Sequence, residues 1–231
     1  MNRHAQYETL VSQRKTHAFP DQLLNPSNIQ GGSFDSDHLG PWSRWQGDLR
    51  AEVMIVGQDW GDLPYFLRNK GVDDEREQTC TNLKSMALAA GWDLGVPQKP
   101  NPQPLFFTNA VLGIRAENGK SGTPPTKWID DSLPFLIGLL GIIQPRAVVS
   151  LGTAAYRATR MALYGRGRDA QLPMASPLKE VHQLSPVQRP GKPALFPFYH
   201  CGPLGLVNRS RELQLQDWKR LGAWLRGKGT L

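Results

Sequence analysis

The chain has few cysteines, no long apolar run and few acidic residues in its last third. Only Cys80 and Cys201 carry thiols among 231 residues, too few for a disulfide framework or for an iron–sulfur cluster held by four thiolates. No stretch approaches the ~18 consecutive apolar residues of a membrane span, and the mean hydropathy is -0.43. The segment Met-Asn-Arg-His at the N-terminus lacks the apolar core of a signal peptide. We therefore expect a cytoplasmic protein that does not enter membranes.

The sequence also lacks a phosphate-binding loop and a set of histidines spaced to bind a metal ion. No glycine-rich loop ends in the lysine that NTP-hydrolysing enzymes use to bind phosphates. The histidines His4, His17, His38 and His182 do not stand at the spacing of metal ligands. We therefore expect neither a metal ion nor a cofactor.

The charge of the chain is distributed unevenly. Residues 1–144 contain 13 Lys or Arg and 16 Asp or Glu, a net charge of -3. Residues 145–231 contain 14 Lys or Arg and 4 Asp or Glu, a net charge of +10. A basic segment of this kind is typical of proteins that bind a polyanion, of which DNA and RNA are the usual examples, although a solvated basic surface is an alternative explanation.

Residues 1–50 are irregular in pattern. A short helical pattern around Tyr7–Lys15 leads into a stretch rich in Pro, Gly and Ser, followed by Trp42 and Trp45. Tryptophans at this spacing are more often buried than free to bind a ligand. We expect residues 1–50 to form an arm packed on a single domain, residues 51–231, and the protein to be a monomer.

From residue 52 onward, apolar runs alternate with helical patterns. The runs predict strands at Val53–Val56, Leu105–Val111, Ala147–Leu151 and Leu195–Tyr199. Helices are predicted at Cys80–Ala90, Trp128–Leu140, Thr153–Tyr164 and Arg209–Arg226. The alternation predicts an α/β fold, a three-layer α/β/α sandwich around a central, mostly parallel four-stranded sheet. The connection at residues 165–193 is long and basic, which favours a functional or mobile loop.

Polar residues lie at or just beyond the carboxyl ends of three of the predicted strands. Asp59 lies in the turn after the first, Asn109 near the end of the second, and His200 directly after the last. The carboxyl ends of parallel strands border the ligand crevice in open sheets, so these three side chains are expected to share one pocket. Taken singly, the aspartate also fits a turn or a helix cap, and the asparagine a loop brace.

The same segments resemble the uracil-DNA glycosylase superfamily. Its best-known members carry GQDPYH after the first strand and HPSPLS after the last, and this chain has Gly-Gln-Asp-Trp-Gly-Asp at 57–62 and His-Cys-Gly-Pro-Leu-Gly at 200–205. Phe-Phe-Thr-Asn-Ala-Val at 106–111 is similar to the strand that supplies the family's base-reading asparagine. Val-Val-Ser-Leu-Gly-Thr-Ala-Ala at 148–155 is similar to the third strand and turn of the branch with iron–sulfur members.

The resemblance implies a role for each matched residue. Asp59 orients or activates the attacking water, and His200 stabilises the negative charge that develops on the departing base. Asn109 reads the edge of the base, which the backbone at Gly57 and Gln58 also contacts.

The resemblance also implies how DNA is held, in single- or double-stranded form. Leu204 stands where the family's wedge leucine fills the space left by the flipped nucleotide. Arg209 and Arg211, near the start of the last helix, are expected to bind phosphates.

Departures from the family pattern concern the shape of the pocket. Gly61 occupies the position of the tyrosine that excludes thymine in the best-known branch, so the selectivity for uracil is open. Tyr65 and Phe66 are the candidates for the aromatic side chain that stacks on the base, and of the two we assign Phe66 to base binding. Cys201-Gly202 replaces the usual Pro-Ser, so the loop that clamps DNA is expected to differ.

The resulting hypothesis is a DNA glycosylase for a deaminated base, with uracil as the first candidate. A glycosylase for another damaged base, such as hypoxanthine or xanthine, and a non-catalytic nucleic-acid-binding module on the same fold are the alternatives. A hydrolase for small nucleosides fits less well with the basic last third and with Leu204.

Overall fold

A computed structural model describes residues 2–20, 22–39, 47–96, 99–116, 122–167, 172 and 178–227. Trp42 and Trp45, predicted to be buried, lie outside these ranges, as do residues 168–171 and 173–177 of the basic connection at 165–193.

The described ranges contain short strands, longer strands and helices. The strands are β1 (Leu23–Leu24), β2 (Val53–Gly57), β3 (Gly95–Val96), β4 (Lys99–Pro100), β5 (Leu105–Asn109), β6 (Ile114–Arg115), β7 (Ala147–Leu151) and β8 (Ala194–Phe198). The helices are α1 (Arg3–Thr16), α2 (Leu63–Arg68), α3 (Gln78–Ala90), α4 (Thr126–Ile143), α5 (Thr153–Tyr164), α6 (Leu178–Gln183), α7 (Pro203–Asn208) and α8 (Arg211–Leu225). A 3₁₀ segment, Pro26–Gly32, follows β1.

The central sheet has four parallel strands in the order β5-β2-β7-β8. Their register aligns the carboxyl ends, since Gly57 pairs with Asn109 and Leu151 pairs with Phe198. All four strands are almost entirely buried, which explains why they read as continuous apolar runs rather than as alternating ones.

Helices cover both faces of this sheet. On one face, Met54, Val56 and Val148 pack in a core that includes residues of α1, α4 and α5. On the other face, Val53, Ile55 and further sheet residues pack against α3 and α8. The predicted three-layer α/β/α sandwich with a parallel four-stranded sheet is confirmed.

The ends of several elements differ from the prediction. The last helix begins at Arg211 rather than at Arg209, because Arg209 is extended and the Ser210 side chain caps the helix by accepting a hydrogen bond from the Leu213 amide. The strand predicted to reach Val111 ends at Asn109. Helices α2, α6 and α7 were not predicted, because six residues are too few to show a helical period.

The described part of residues 1–50 is more regular than predicted. Helix α1 packs against α4, with Tyr7 and Val11 in the core. Strand β1 pairs antiparallel with β6, matching Leu23 with Arg115 and Leu24 with Ile114. A domain boundary at residue 50 stays a prediction.

Candidate active site

A cavity of about 480 Å³ opens at the carboxyl edge of the sheet. It is lined by residues from the turn after β2, the end of β5, the end of β7 and the segment after β8. The connections after β2 and β7 run to opposite sides of the sheet, and ligands bind at such switch points in α/β folds. Asp59, Asn109 and His200 all line this cavity, together with Gly57 and Gln58.

The Asp59 carboxylate is held by two donors. The Arg115 guanidinium donates from Nη2 to Oδ2 of Asp59, and the Gln58 side chain donates from Nε2 to the same oxygen over 3.2 Å. Both charged side chains are largely buried, with 12% of Arg115 and 9% of Asp59 exposed. Arg115 was not predicted from the sequence, because a two-residue strand 56 residues away from Asp59 carries no recognisable motif.

Asn109 depends on a glycine in the neighbouring strand. A Cβ atom added at Gly57 would lie 2.2 Å from the Oδ1 of Asn109, so the side-chain amide occupies the space that Gly57 leaves open. The two residues are register partners at the ends of β2 and β5. Gly57 therefore shapes the pocket through the absence of a side chain.

The His200 ring is fixed in one tautomer. The Gly202 amide donates a hydrogen bond to Nδ1 of His200 over 3.0 Å, so Nδ1 is an acceptor. Burial lowers the pKa of His200 below its usual value, and the nearby negative charge of Asp59 opposes this shift without reversing it. The ring is therefore neutral near pH 7, and its proton lies on Nε2, where it can be donated to a ligand.

The loop after β8 is braced by residues that the sequence did not single out. Asn82 of α3 donates from Nδ2 to the Cys201 carbonyl over 2.8 Å. Gln214 of α8 donates from Nε2 to the Arg209 carbonyl over 3.1 Å and more weakly to the His200 carbonyl over 3.4 Å. A Cβ at Gly205 would lie 1.7 Å from the His200 carbonyl oxygen, so α7 packs directly on the backbone that carries the imidazole.

One wall of the cavity is acidic. Asp73 and Glu77 lie in the segment before α3, and Glu77 directly precedes the helix. Both residues line the cavity beside Tyr65 and Cys80. Burial raises the pKa of Asp73 to about 6, the charge of Glu75 adds to the rise, and the Trp60 side chain opposes it. Burial also raises the pKa of Tyr65 to about 12.

Phe66 does not belong to the site. Its side chain is completely buried and packs with Trp60, Ile29 and Ile114 in a small core beneath the α2 segment. The expected stacking role of Phe66 is thus not supported, because no surface of the ring faces the cavity. Tyr65, the other candidate, does line it.

The predicted DNA-contacting residues lie outside the cavity. Leu204 projects from α7 with 73% of its surface exposed, as a wedge residue requires, but its contact with DNA stays a prediction. Arg211 is exposed at the start of α8. Arg209 differs from the expectation, because Asp217 binds its guanidinium through Nε and Nη2 over 2.5 and 2.8 Å. Arg209 therefore braces this loop, and its contact with a phosphate stays a prediction.

Similarity to a known protein covers half of the chain. Over 122 residues the chain is 30% identical to the type-4 uracil-DNA glycosylase of Pyrobaculum aerophilum, an alignment of 52% of this chain and 54% of the relative. The chain thus spans about half the length of the curated relative it matches. No family model matches the chain. The similarity points to the uracil-DNA glycosylase superfamily and supports a distant relationship to DNA glycosylases.

Two kinds of feature are absent from the residues that the structure describes. Within the ranges given above, no helix is long and apolar enough to cross a membrane. The same ranges contain no group of three His, Cys, Asp or Glu side chains that could hold a metal ion.

Proposed function

We propose that this protein is a DNA glycosylase that flips a deaminated base, with uracil as the first candidate, and hydrolyses its N-glycosidic bond. The observation that carries the proposal is that Asp59, Asn109 and His200, which come from three different strand ends, line the same cavity. The similarity to a type-4 uracil-DNA glycosylase supports the same activity.

His200 and Asp59 have separate roles in the proposed reaction. As the bond between C1′ and the base nitrogen breaks, its electron pair leaves with the base, and the sugar becomes cationic. The neutral His200 donates from Nε2 to the base oxygen on which negative charge develops. The Asp59 carboxylate stabilises the cationic sugar and orients the water whose oxygen bonds to C1′. The proton released by that water passes to the solvent or to the departing base.

Asn109 supplies selectivity. Its amide presents an acceptor and a donor in one plane, which matches a base edge that carries a carbonyl next to an N–H group. Uracil, hypoxanthine and xanthine all have such an edge. The amide occupies the space that Gly57 leaves open, so its position in the pocket depends on that glycine.

A larger deaminated base is the second candidate, because of the acidic wall. The carboxyl group of Asp73 accepts hydrogen bonds when ionised, and purines such as xanthine present more N–H donors than uracil does. Gly61 also leaves its position without a side chain, and the nearest atom to an added Cβ would be the Tyr65 ring at 3.6 Å.

The test is a panel of labelled oligonucleotides that contain uracil, hypoxanthine or xanthine, in single- and double-stranded form. Alkali after incubation breaks the strand at abasic sites, so the position of the break identifies the excised base. We expect breaks with the unaltered protein and with Asp93→Asn, a surface carboxylate remote from the cavity, but not with Asp59→Asn. DNA binding without abasic product from any base would instead support a non-catalytic module.

A further inference from the structure

Asp59 lies in a turn without regular hydrogen bonding, yet its carboxylate is held firmly. Both donors to it, Arg115 and Gln58, bind Oδ2. Among the described residues, Oδ1 accepts no hydrogen bond from the protein. One oxygen therefore anchors the side chain while the other is left for a ligand or water.

Arg115 and Gln58 also share a second acceptor. The carbonyl oxygen of Gly122 accepts hydrogen bonds from Nη2 of Arg115 over 2.7 Å and from Nε2 of Gln58 over 3.0 Å. The carboxylate, the guanidinium, the amide and the carbonyl thus form a closed ring of hydrogen bonds. In such a ring each donor is oriented by two acceptors, which restricts the rotation of the Asp59 carboxylate more than a single bond would.

The backbone of Arg115 is fixed on two sides. Its amide donates to the Gly61 carbonyl over 3.1 Å, in the same turn that carries Asp59. On the other side, β6 pairs with β1, which aligns Arg115 with Leu23. The guanidinium also lies 5.6 Å from the centre of the Trp128 ring, a cation–π distance.

We propose that Arg115 is the positioning residue of this site, holding the Asp59 carboxylate in the orientation in which Oδ1 faces the attacking water. The inference rests on the proposed glycosylase function, in which Asp59 acts on water. Arg115 also lines the cavity, and in this proposal it acts through Asp59 rather than by binding the substrate. Both bonds come from Nη2, whose two N–H donors are held in the plane of the guanidinium, whereas the three donors of a lysine ammonium rotate on a flexible stem.

Three variants test the role of the guanidinium. Arg115→Ala removes both bonds, Arg115→Lys keeps the charge without the planar donors, and Arg146→Ala is the matched control. Arg146 also pairs with a carboxylate, Glu52, and lies over a tryptophan ring, Trp224, but it lies outside the cavity. Circular dichroism and thermal melting establish first that each variant is folded.

We expect the single-turnover rate of base excision to fall about 100-fold in Arg115→Ala, the loss typical of a reacting group misplaced by ~1 Å. Arg115→Lys is expected to recover only part of this loss, and Arg146→Ala to match the unaltered protein. The affinity for an oligonucleotide that contains a non-hydrolysable 2′-fluoro-uridine should change less than about threefold, because Arg115 acts on the chemical step.

Chemical rescue separates positioning from folding. Guanidinium chloride at about 20 mM, far below denaturing concentrations, should restore part of the rate of Arg115→Ala and none of the rate of Asp59→Asn. The double variant should be no slower than Asp59→Asn alone, since both substitutions disable the same group. A folded Arg115→Ala that keeps its full rate, or losses that multiply in the double variant, would overturn the inference.

A crystal structure of Arg115→Ala tests the positioning of the Asp59 carboxylate independently of activity. We expect the Asp59 carboxylate to rotate away from the position seen here. An unmoved carboxylate would refute the positioning role. If the unaltered protein releases no base from any oligonucleotide, the proposed function fails, and this structure still tests whether Arg115 positions Asp59.

Discussion

At the scale of single residues, His200 defines which proton the site can donate. Its Nδ1 accepts from Gly202, and burial lowers its pKa, so the neutral ring with the proton on Nε2 is the form present near pH 7. A neutral imidazole donates a hydrogen bond at any pH above its pKa. The site therefore does not depend on a positively charged histidine.

A pH profile tests this assignment. We expect the single-turnover rate to stay level from about pH 7 to about pH 8.5, because the lowered pKa keeps His200 neutral across that range. Rapid-quench measurements at constant ionic strength provide the rates. A tenfold fall for each pH unit above about 6.5 would show that the protonated ring is required.

Gly57 offers a way to disturb recognition without disturbing the fold. In Gly57→Ala the new methyl group meets only the end of the Asn109 side chain, which can rotate away. We expect thermal stability close to that of the unaltered protein and a rate of uracil excision as low as that of Asn109→Ala. Gly141→Ala in α4, where the added methyl group meets nothing within 4 Å, is the control. Full activity of Gly57→Ala would mean that Asn109 does not read the base.

Asp73 is expected to weaken the fold at neutral pH. Its folded pKa of about 6 lies above the ordinary 3.8, so the folded state binds the proton more tightly than the unfolded state does. Stability is therefore lost as the pH rises from below 3.8 to above 6. Asp73→Asn should raise the free energy of unfolding by about 1–3 kcal/mol at pH 7.5, and the gain should vanish near pH 4.

Urea denaturation at both pH values measures this effect. Asp74→Asn is the control, since hydrogen bonds from Arg76 hold the pKa of the neighbouring carboxyl group at about 2, lowered where that of Asp73 is raised. A stability of Asp73→Asn that is unchanged at pH 7.5 would contradict the buried, proton-binding state of this carboxyl group.

At the scale of elements, a buried carboxylate holds the segment between β8 and α8, which contains α7, against its neighbours. Asp217 of α8, with only 1% of its side chain exposed, pairs with Arg209 and Arg220 and lies 3.4 Å from Nε2 of His182 in α6. Burial alone would raise the pKa of Asp217, but hydrogen bonds from His182 and Arg209 outweigh it and lower the pKa. The network joins α6, α8 and the segment that follows His200.

Asp217→Asn should therefore destabilise the protein by about 3 kcal/mol, because two arginines and a histidine lose a buried partner. Thermal melting measures the loss. The paired variant Glu212→Gln, an exposed acid in the first turn of the same helix, should stay within about 0.5 kcal/mol of the unaltered protein. Equal stability of the two variants would show that the network is dispensable.

The sequence predicted the long elements and missed the short ones for a physical reason. Buried parallel strands form continuous apolar runs. The four strands of the central sheet and the polar residues at their ends could therefore be recognised in the sequence. Two-residue strands such as β6 have no period, and Arg115 acquires its role only through pairing with a distant turn. Phe66 was assigned to the pocket by its nearness in sequence to Asp59, but helix α2 turns its ring into the core.

At the scale of the whole molecule, fewer positive charges of residues 145–231 are available to a nucleic acid than their net charge of +10 indicates. Asp217 binds Arg209 and Arg220, and the buried Arg160 donates to the carbonyls of Leu172, Gly165 and Gly167. Arg166 pairs with Asp130. Several of the positive charges thus hold the structure together instead of facing a nucleic acid.

The affinity for DNA should accordingly depend only moderately on salt. With about 3–5 phosphates neutralised, binding to a single-stranded oligonucleotide should weaken roughly 10- to 100-fold between about 50 and about 200 mM salt. Fluorescence anisotropy gives the slope, and Arg211→Ala, which removes an exposed charge at α8, should reduce it by about 0.7. Binding that is insensitive to salt would contradict a phosphate-contacting surface.

The central claim is that the cavity lined by Asp59, Asn109 and His200 hydrolyses the bond between a base and its sugar. The most direct test is mass spectrometry of the free base and of the abasic product after incubation of a uracil-containing oligonucleotide in ¹⁸O-labelled water. We predict free uracil and one labelled oxygen on the sugar, with release at least about 100-fold slower in Asp59→Asn and in His200→Ala. No free base from uracil, hypoxanthine or xanthine, or undiminished release by both variants, would contradict the claim.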